Sequence, residues 1–285
     1  MRDNRMAGQR GARLELIVRT LVGALIMAAI FFPIFWLFIS SVKTQAEMRM
    51  AVPTFWPEAF AWDNYAEALR IIPFVRFFGN TLVMTCGIIF LQLNVALMAA
   101  YAFAKGRFPG RDILFFLVLA AMIIPDQVIF VPVYVLMSQL DWLDTFWALI
   151  IPHGASAYGI FLLRQAFKSV NNDVLEAARV DGAGRFAMLY RILLPITMPT
   201  VVTLGVLVFI SSWNSYFWPL IMTNTDSMRV LTVGIAMLRD SIAGDEAMYF
   251  HIIMAASVMC ILPIVVIFTA MQKHIVSAMA NSTFK

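Results

Sequence analysis

An all-α integral membrane protein with six spanning helices is the fold class this sequence predicts, on three observations. Of its 285 residues 61% are hydrophobic and 13% charged, with a mean hydropathy of +0.82, whereas an ordinary soluble chain is about 25% charged. Six apolar runs, at 16–41, 79–104, 112–137, 144–165, 197–223 and 251–272, are long enough to cross the bilayer; a hydrocarbon core about 30 Å thick takes roughly 20 helical residues. The segments joining these runs share the basic residues unequally, and the richer side faces the cytoplasm.

The first run follows Arg2, Arg5, Arg10 and Arg13 and contains Arg19. It is too long for a signal-peptide core and no small-residue cleavage site follows, so it reads as a retained span behind a cytoplasmic tail, residues 1–15. Residues 42–78 mix Pro53, Pro57 and Pro73 with Phe55, Trp56, Phe60, Trp62 and Tyr65, and balance four basic residues with four acidic ones. That composition predicts an ordered extracytoplasmic segment rather than a linker. Residues 79–272 form a core of five further spans with short connections, apart from an inner loop at 166–196 and an outer one at 224–250. Residues 273–285 form a second cytoplasmic tail. This arrangement puts fifteen of the 21 Lys and Arg inside, leaving Lys43, Arg49, Arg70, Arg76, Arg229 and Arg239 outside. Both termini are then cytoplasmic, which requires an even number of spans.

Several classes fall away. Cys86 and Cys260 lie in apolar runs, where a thiol acts as a small hydrophobe, so no disulfide framework is implied. The net charge of +4 follows from loop asymmetry and does not argue for nucleic acid. No phosphate-cradling glycine loop is present, so any ATP is bound by another chain. No second His or Cys stands at metal-ligand spacing, and a membrane-embedded enzyme would need more than Ser211 or Ser212 with a distant His153.

The inner loop carries the most specific pattern. Asp173 with Glu176 three residues on has the form of a helix start, and Gly182 of a helix stop. A helix of about two to three turns should present Val174, Ala177 and Ala178 on one face. A second helix should begin near Arg185 with Phe186, Leu189, Tyr190 and Leu193 on one side, and Pro195 and Pro199 should mark its passage into the fifth span. Such an apolar face outside the bilayer has to be covered, either by the chain's own helix ends or by a partner.

Glu176-Ala177-Ala178, three residues, Gly182, nine residues, Ile192, one residue, Leu194-Pro195 resembles the signature loop of bacterial ABC-importer permeases. Asp181 and Ala183 complete an Asp-Gly-Ala form similar to that of the sugar-type importers, in particular the second permease subunit of carbohydrate and glycerol-phosphate systems. The resemblance covers about residues 70–275, and Trp213-Asn214, Tyr216 and Trp218-Pro219 also match. Where the family often has a proline before the motif, this chain has Asn171-Asn172, so the helix start can differ by a turn.

The resemblance implies a type I ABC-importer permease fold in the bacterial inner membrane. It implies a homologous second permease, two ATP-binding subunits and an extracytoplasmic solute-binding protein as partners, with ATP and Mg held by the ATPase subunits and no cofactor on this chain. It further implies that the loop is a coupling helix seated in a groove of an ATPase subunit. There Ala177 and Ala178 make the close contact, Glu176 a polar one, and Gly182 sets the angle, while Asp181 caps or pairs with Arg185.

Polar residues within spans are candidates for a transport path, because burying them in lipid is costly. Aromatic faces beside amides and hydroxyls suit sugars. Asp126, Gln127, Trp213, Asn214 and Tyr216 are chosen on this ground, Asp126 being the one acid well inside a span. The tryptophans could equally form an interfacial belt, and Ser211, Ser212 and Gly159 could simply permit close packing. No Lys or Arg accompanies Asp126, which disfavours a phosphorylated solute. The expected activity is ATP-driven uptake of a sugar-like solute (oligosaccharide, polyol or glycerol-phosphate class), and the alternative is an ion-coupled secondary transporter of a small polar solute.

Overall fold

The computed structural model describes residues 2–240 and 249–283, with side chains for 15–125, 127–238 and 249–272. Arg2, Arg5, Arg10, Arg13, Arg239, Lys273 and Lys285, used above to orient the chain, lie outside the described side chains. The chain divides into two compact units, residues 1–72 with 238–259, and residues 73–237 with 260–285.

In the first unit α1 (Arg2–Ser41) is one continuous helix of 40 residues. From Leu21 to Ile34 it is apolar and exposed on every side, the character of a helix solvated by lipid. At its end the 42–72 segment is tied down by its own polar groups. Asn64, on α3 (Asp63–Ile71), is buried and donates from Nδ2 to the Ser41 and Lys43 carbonyls, both at 2.9 Å. Tyr65 and Ser41 share a hydroxyl contact of 2.7 Å. The Lys43 ammonium donates to the Thr54 carbonyl and lies 4.5 Å from the Trp36 ring centre, a cation–π geometry. Between α1 and α3, Thr44 and Glu47 close a reciprocal capping box on α2 (Gln45–Met48). Burial pushes the Glu47 carboxyl up, but hydrogen bonds from the Glu58 and Thr44 N–H groups and the Thr44 hydroxyl, with Lys43 nearby, hold it below the ordinary carboxylate range. The segment is short of regular structure yet well supplied with hydrogen bonds.

The second unit is built on α4 (Phe74–Lys105), α5 (Arg111–Ala121), α6 (Asp126–Gln139), α7 (Phe146–Ile150), α8 (Ala157–Ser169), α9 (Asn172–Val180), a rod made of α10 (Arg185–Ala187), a π-helical turn (Met188–Leu193) and α11 (Leu194–Ile196), then α12 (Met198–Trp213) and α13 (Phe217–Met222). Helix α14 (Leu231–Asp240) and the long α15 (Phe250–Thr283) run across the division between the units. Helices α4, α8 and α12 pack together. Small residues set their spacing: Ala96 and Ala100 are buried, and a Cβ on Gly159 would lie 3.3 Å from Leu204. Leu163 and Phe167 fill the rest of that seam.

Three helical segments are long and apolar enough to span unaided, 15–41, 74–105 and 250–272, and two bent pairs raise that number to five among the described residues. The run at 144–165 is one bent pair, with a 44° change of direction after His153, where Pro152 lacks a donor for the helix. Two runs expected to be continuous are not. The run 112–137 is divided into α5 and α6, because Pro125 is in extended backbone and restrains the residue before it. The run 197–223 is helical only to Trp213 and resumes at Phe217; the Asn214 amide folds back onto the Ile210 carbonyl at 2.8 Å, a local bond that competes with helix continuation.

Candidate functional site

The 166–196 loop is held from both ends. Lys105, the last residue of α4, donates to the Val170 carbonyl at 2.8 Å and to Asn172 Oδ1 at 2.7 Å. Asn171 accepts from the Asp173 N–H at 3.1 Å and so caps α9; the helix begins at Asn172, not at an Asp173 cap, so the pair Asp173 and Glu176 is no capping box. Leu175 is 3% exposed and enters the core formed by Phe167, Val170, Leu189 and Leu193. The end of α9 follows from glycine. With Gly182 at φ +83°, its N–H donates to the Arg179 carbonyl at 3.0 Å and the Ala183 N–H to the Ala178 carbonyl at 2.9 Å, both bonds of a Schellman stop. Asp181 is the C-cap residue.

What the loop leaves uncovered is its apolar tip. Val174, Glu176, Ala177, Asp181 and Gly182 are exposed, Ala178 and Ala183 half-buried, and Val180 is 89% exposed. Phe186, expected beside Leu189 and Leu193, is instead 71% exposed while those two are buried. The π-helical turn at Met188–Leu193 is the reason: it widens the repeat, so the 3.6-residue projection assigns Phe186 to the wrong face. Tyr190 reaches Asn94 Oδ1 of α4 at 2.9 Å. Ile192 and Leu194 pack on the core, and exposed Pro195 stands in the first turn of α11.

At Thr197 the rod Arg185–Ile196 meets α12 at 86°. Thr197 Oγ1 donates back to the Leu193 carbonyl at 2.7 Å, which accepts the Thr197 N–H as well, and Pro199 follows at the first turn of α12. A near right angle, held by these bonds, thus joins the loop to a helix of 16 residues, about 24 Å long at ~1.5 Å per residue.

The far end of α12 borders a cavity of about 760 Å³, within the range of small-molecule sites. Ser211 and Ser212 line it from α12, Ser215, Tyr216 and Trp218 from beyond, Gln127 from α6, and Ser156 and Tyr158 from the N-cap and first turn of α8. His153 stands edge-on to Trp218 at 5.0 Å, and Trp218 donates to the Ala148 carbonyl at 3.0 Å. No charged side chain is among the described lining residues. Of the five residues expected on a path, Gln127 and Tyr216 are in the wall. Trp213 is fully buried, stacked on Phe209 and bonded to the Cys260 carbonyl at 3.0 Å, and Asn214 is turned to its own helix. Asp126 opens α6, but its side chain lies outside the described residues. The serines, Tyr158, His153 and Trp218 were visible as polar residues in apolar runs, and only the fold selects them. The anchors Lys105 and Leu175 had no such signal.

The family model described as "Binding-protein-dependent transport system inner membrane component" matches residues 92–281. The sn-glycerol-3-phosphate transport system permease protein UgpE of Brucella abortus (strain 2308) is 29% identical over 276 residues, which cover 93% of this chain and 97% of that one. Its namesake in Yersinia pestis bv. Antiqua (strain Antiqua) is 30% identical over 281 residues, covering 96% and 98%. Among solved structures, a chain of a bacterial ABC transporter involved in the import of the acidic polysaccharide alginate aligns over 93% of this chain and 98% of that one, with a TM-score of 0.84 at 24% identity. A chain of the alginate transporter in complex with an alginate pentasaccharide-bound periplasmic protein gives 0.60 at 19% identity, covering 90% and 92%.

Proposed function

Because the chain belongs to the family of binding-protein-dependent transport system inner membrane components, we propose that it is one of two permease subunits of an ABC importer for a sugar or sugar-like solute. As a multi-pass inner-membrane protein it forms half of the translocation path, while ATP is hydrolysed by separate subunits. In this reading both termini and the 166–196 loop are cytoplasmic, six passes cross the membrane with α5 and α6 together making the third, and residues 42–78 face outward.

The observation that carries the reading is the continuous path from the exposed tip to the cavity. Val174, Ala177 and Val180 offer an apolar surface with small residues at its centre, which suits close seating in a groove on an ATPase subunit. Glu176 supplies a polar contact at its edge. Force on α9 passes through Leu175 into Leu189 and Leu193, through the right angle at Thr197, and along α12 to Ser211 and Ser212. A packed lever of this kind moves as a unit, since close-packed interiors transmit displacement rather than absorb it. Nucleotide-driven approach of two ATPase subunits, each holding one such loop, turns the permease pair from inward-facing to outward-facing.

The solute class rests on the cavity and on the relatives. Hydroxyls from Ser211, Ser212, Ser215 and Tyr216 and the Gln127 amide offer paired donors and acceptors, and the Tyr216 and Trp218 rings offer faces for sugar carbons. With no cation in the described wall, a neutral polyol or oligosaccharide fits better than the phosphorylated solute in the names of the relatives, which would call on the second permease for positive charge. The test is uptake by the reconstituted complex. Transport that needs ATP and survives an uncoupler supports the importer; transport driven by an ion gradient without any ATPase subunit returns the ion-coupled alternative.

A further inference from the structure

A second hollow lies away from the solute cavity, at the start of α5, with a volume of about 430 Å³ and a wall made by Arg107, Phe108, Gly110, Arg111, Asp112 and Ile113. Its charge is lopsided. Arg111 is held in place, donating to both Asp112 oxygens at 3.0 and 3.3 Å and to the Gly106 carbonyl at 3.2 Å. Arg164 stacks on the Phe115 ring at 3.8 Å. Asp112 is compensated by Arg111 itself, which uses three of its N–H donors in these bonds out of the roughly five a guanidinium carries. Arg107 is exposed and makes no ion pair among the described residues. The hollow thus has an unused guanidinium beside a fixed one.

From the same hollow an apolar stripe leaves along α5. Ile113, itself in the wall, is followed at three- and four-residue spacing by Phe116 and Leu117, 69%, 67% and 56% exposed. A pair of arginines at the end of an apolar helical stripe matches a molecule with an anionic phosphate at one end and hydrocarbon at the other. Guanidinium groups bind phosphate in a forked geometry that ammonium groups lack, and basic pockets at the ends of membrane helices are where anionic headgroups collect.

We propose that this hollow binds the phosphate of an anionic phospholipid, with Arg107 and Arg111 as its ligands and Ile113, Phe116 and Leu117 carrying an acyl chain. The site needs only that α5 begins at a membrane surface and is independent of which solute is carried.

The experiment is native mass spectrometry of the detergent-purified full chain, or of its complex, titrated with phosphatidylglycerol, phosphatidylcholine and inorganic phosphate. The wild type should retain phosphatidylglycerol over phosphatidylcholine. Arg107→Gln should weaken phosphatidylglycerol binding roughly fivefold, the worth of one basic residue near an anionic surface, and Arg107→Lys, which keeps the charge but loses the fork, should fall between the wild type and Arg107→Gln. Ile113→Ser should weaken lipid binding while leaving competition by inorganic phosphate unchanged. Circular dichroism of each variant separates lost binding from lost fold. Equal retention of the two lipids, no effect of Arg107→Gln in a folded protein, or displacement by millimolar phosphate as complete as by lipid would each overturn the proposal, the last by marking a site for a soluble anion.

Discussion

Replacing Gly182 by alanine, valine and asparagine separates the conformational demand at the end of α9 from any question of space. Gly182 has φ +83°, and a Cβ built there meets nothing within 4 Å. A side chain therefore costs no clash, only the left-handed backbone, about 1–2 kcal/mol for an ordinary L-residue and more for a β-branched one. Asparagine tolerates that region and should recover most of the loss. If the bonds from Gly182 to Arg179 and from Ala183 to Ala178 set the angle of the loop, ~1.4 kcal/mol is a tenfold fall in the ratio of correctly closed to open loops. The assay is solute taken up per ATP hydrolysed in proteoliposomes, with membrane insertion checked by protein recovered. Uptake per ATP should fall in the order glycine, asparagine, alanine, valine at equal insertion. An unchanged ratio in the valine variant, or an asparagine variant as poor as the valine one, would refute the reasoning.

Leu175→Ala removes the wedge between α9 and the core and should cost roughly 2–5 kcal/mol locally, read as lower uptake per ATP and faster amide exchange across α9. Substituting Tyr216 or Gln127 by alanine should change apparent affinity or preference among neutral polyols with little change in basal ATPase activity, whereas Asn214→Ala should do less; uptake assays with competing solutes check this. Glu47 has a carboxyl pKa below its unfolded value, so its contribution to stability is present above pH ~4.3 and is lost as pH falls through the folded value. Glu47→Gln should therefore lower stability at neutral pH and flatten the acid limb, measured by the tryptophan fluorescence of the 42–72 segment. Asp144, at φ +58°, accepts from the Asn224 and Thr225 N–H groups at 2.9 and 3.1 Å and from the Thr225 hydroxyl at 2.6 Å. Asp144→Ala should cost roughly 1–3 kcal/mol by removing charge-assisted bonds to these donors and placing alanine at positive φ, and Asp144→Asn, which keeps an acceptor and tolerates positive φ, less; thermal denaturation of the purified protein measures both.

Much of the loop was legible because backbone chemistry is local. Gly182 as a stop, a helix from about Arg185 and a turn before α12 follow from residues that act on their own φ, ψ and hydrogen bonds. The apolar runs were legible for the same reason, since hydropathy sums over neighbours. What failed depends on register or on distant partners. Pro125 breaks a run whose apolarity continues on both sides, and the π-helical turn moves Phe186 onto the free face. Trp213 reads like a path residue until Phe78, Phe209 and the Cys260 carbonyl surround it. Gln127 and Tyr216 were legible as polar groups in apolar surroundings, but Ser211, Ser212 and Tyr158 differ from packing residues only by facing the same cavity.

Disulfide trapping between single cysteines at Ala177 or Val180 and cysteines in the proposed groove of the ATPase subunit, through the nucleotide cycle, bears most directly on force transmission. If the loop transmits force, crosslinks to the ATPase subunit form at both positions, are retained with and without ATP, and abolish uptake once they are locked. Crosslinks confined to this chain, or labelling of both positions by a membrane-impermeant reagent from outside the cell, would contradict that route.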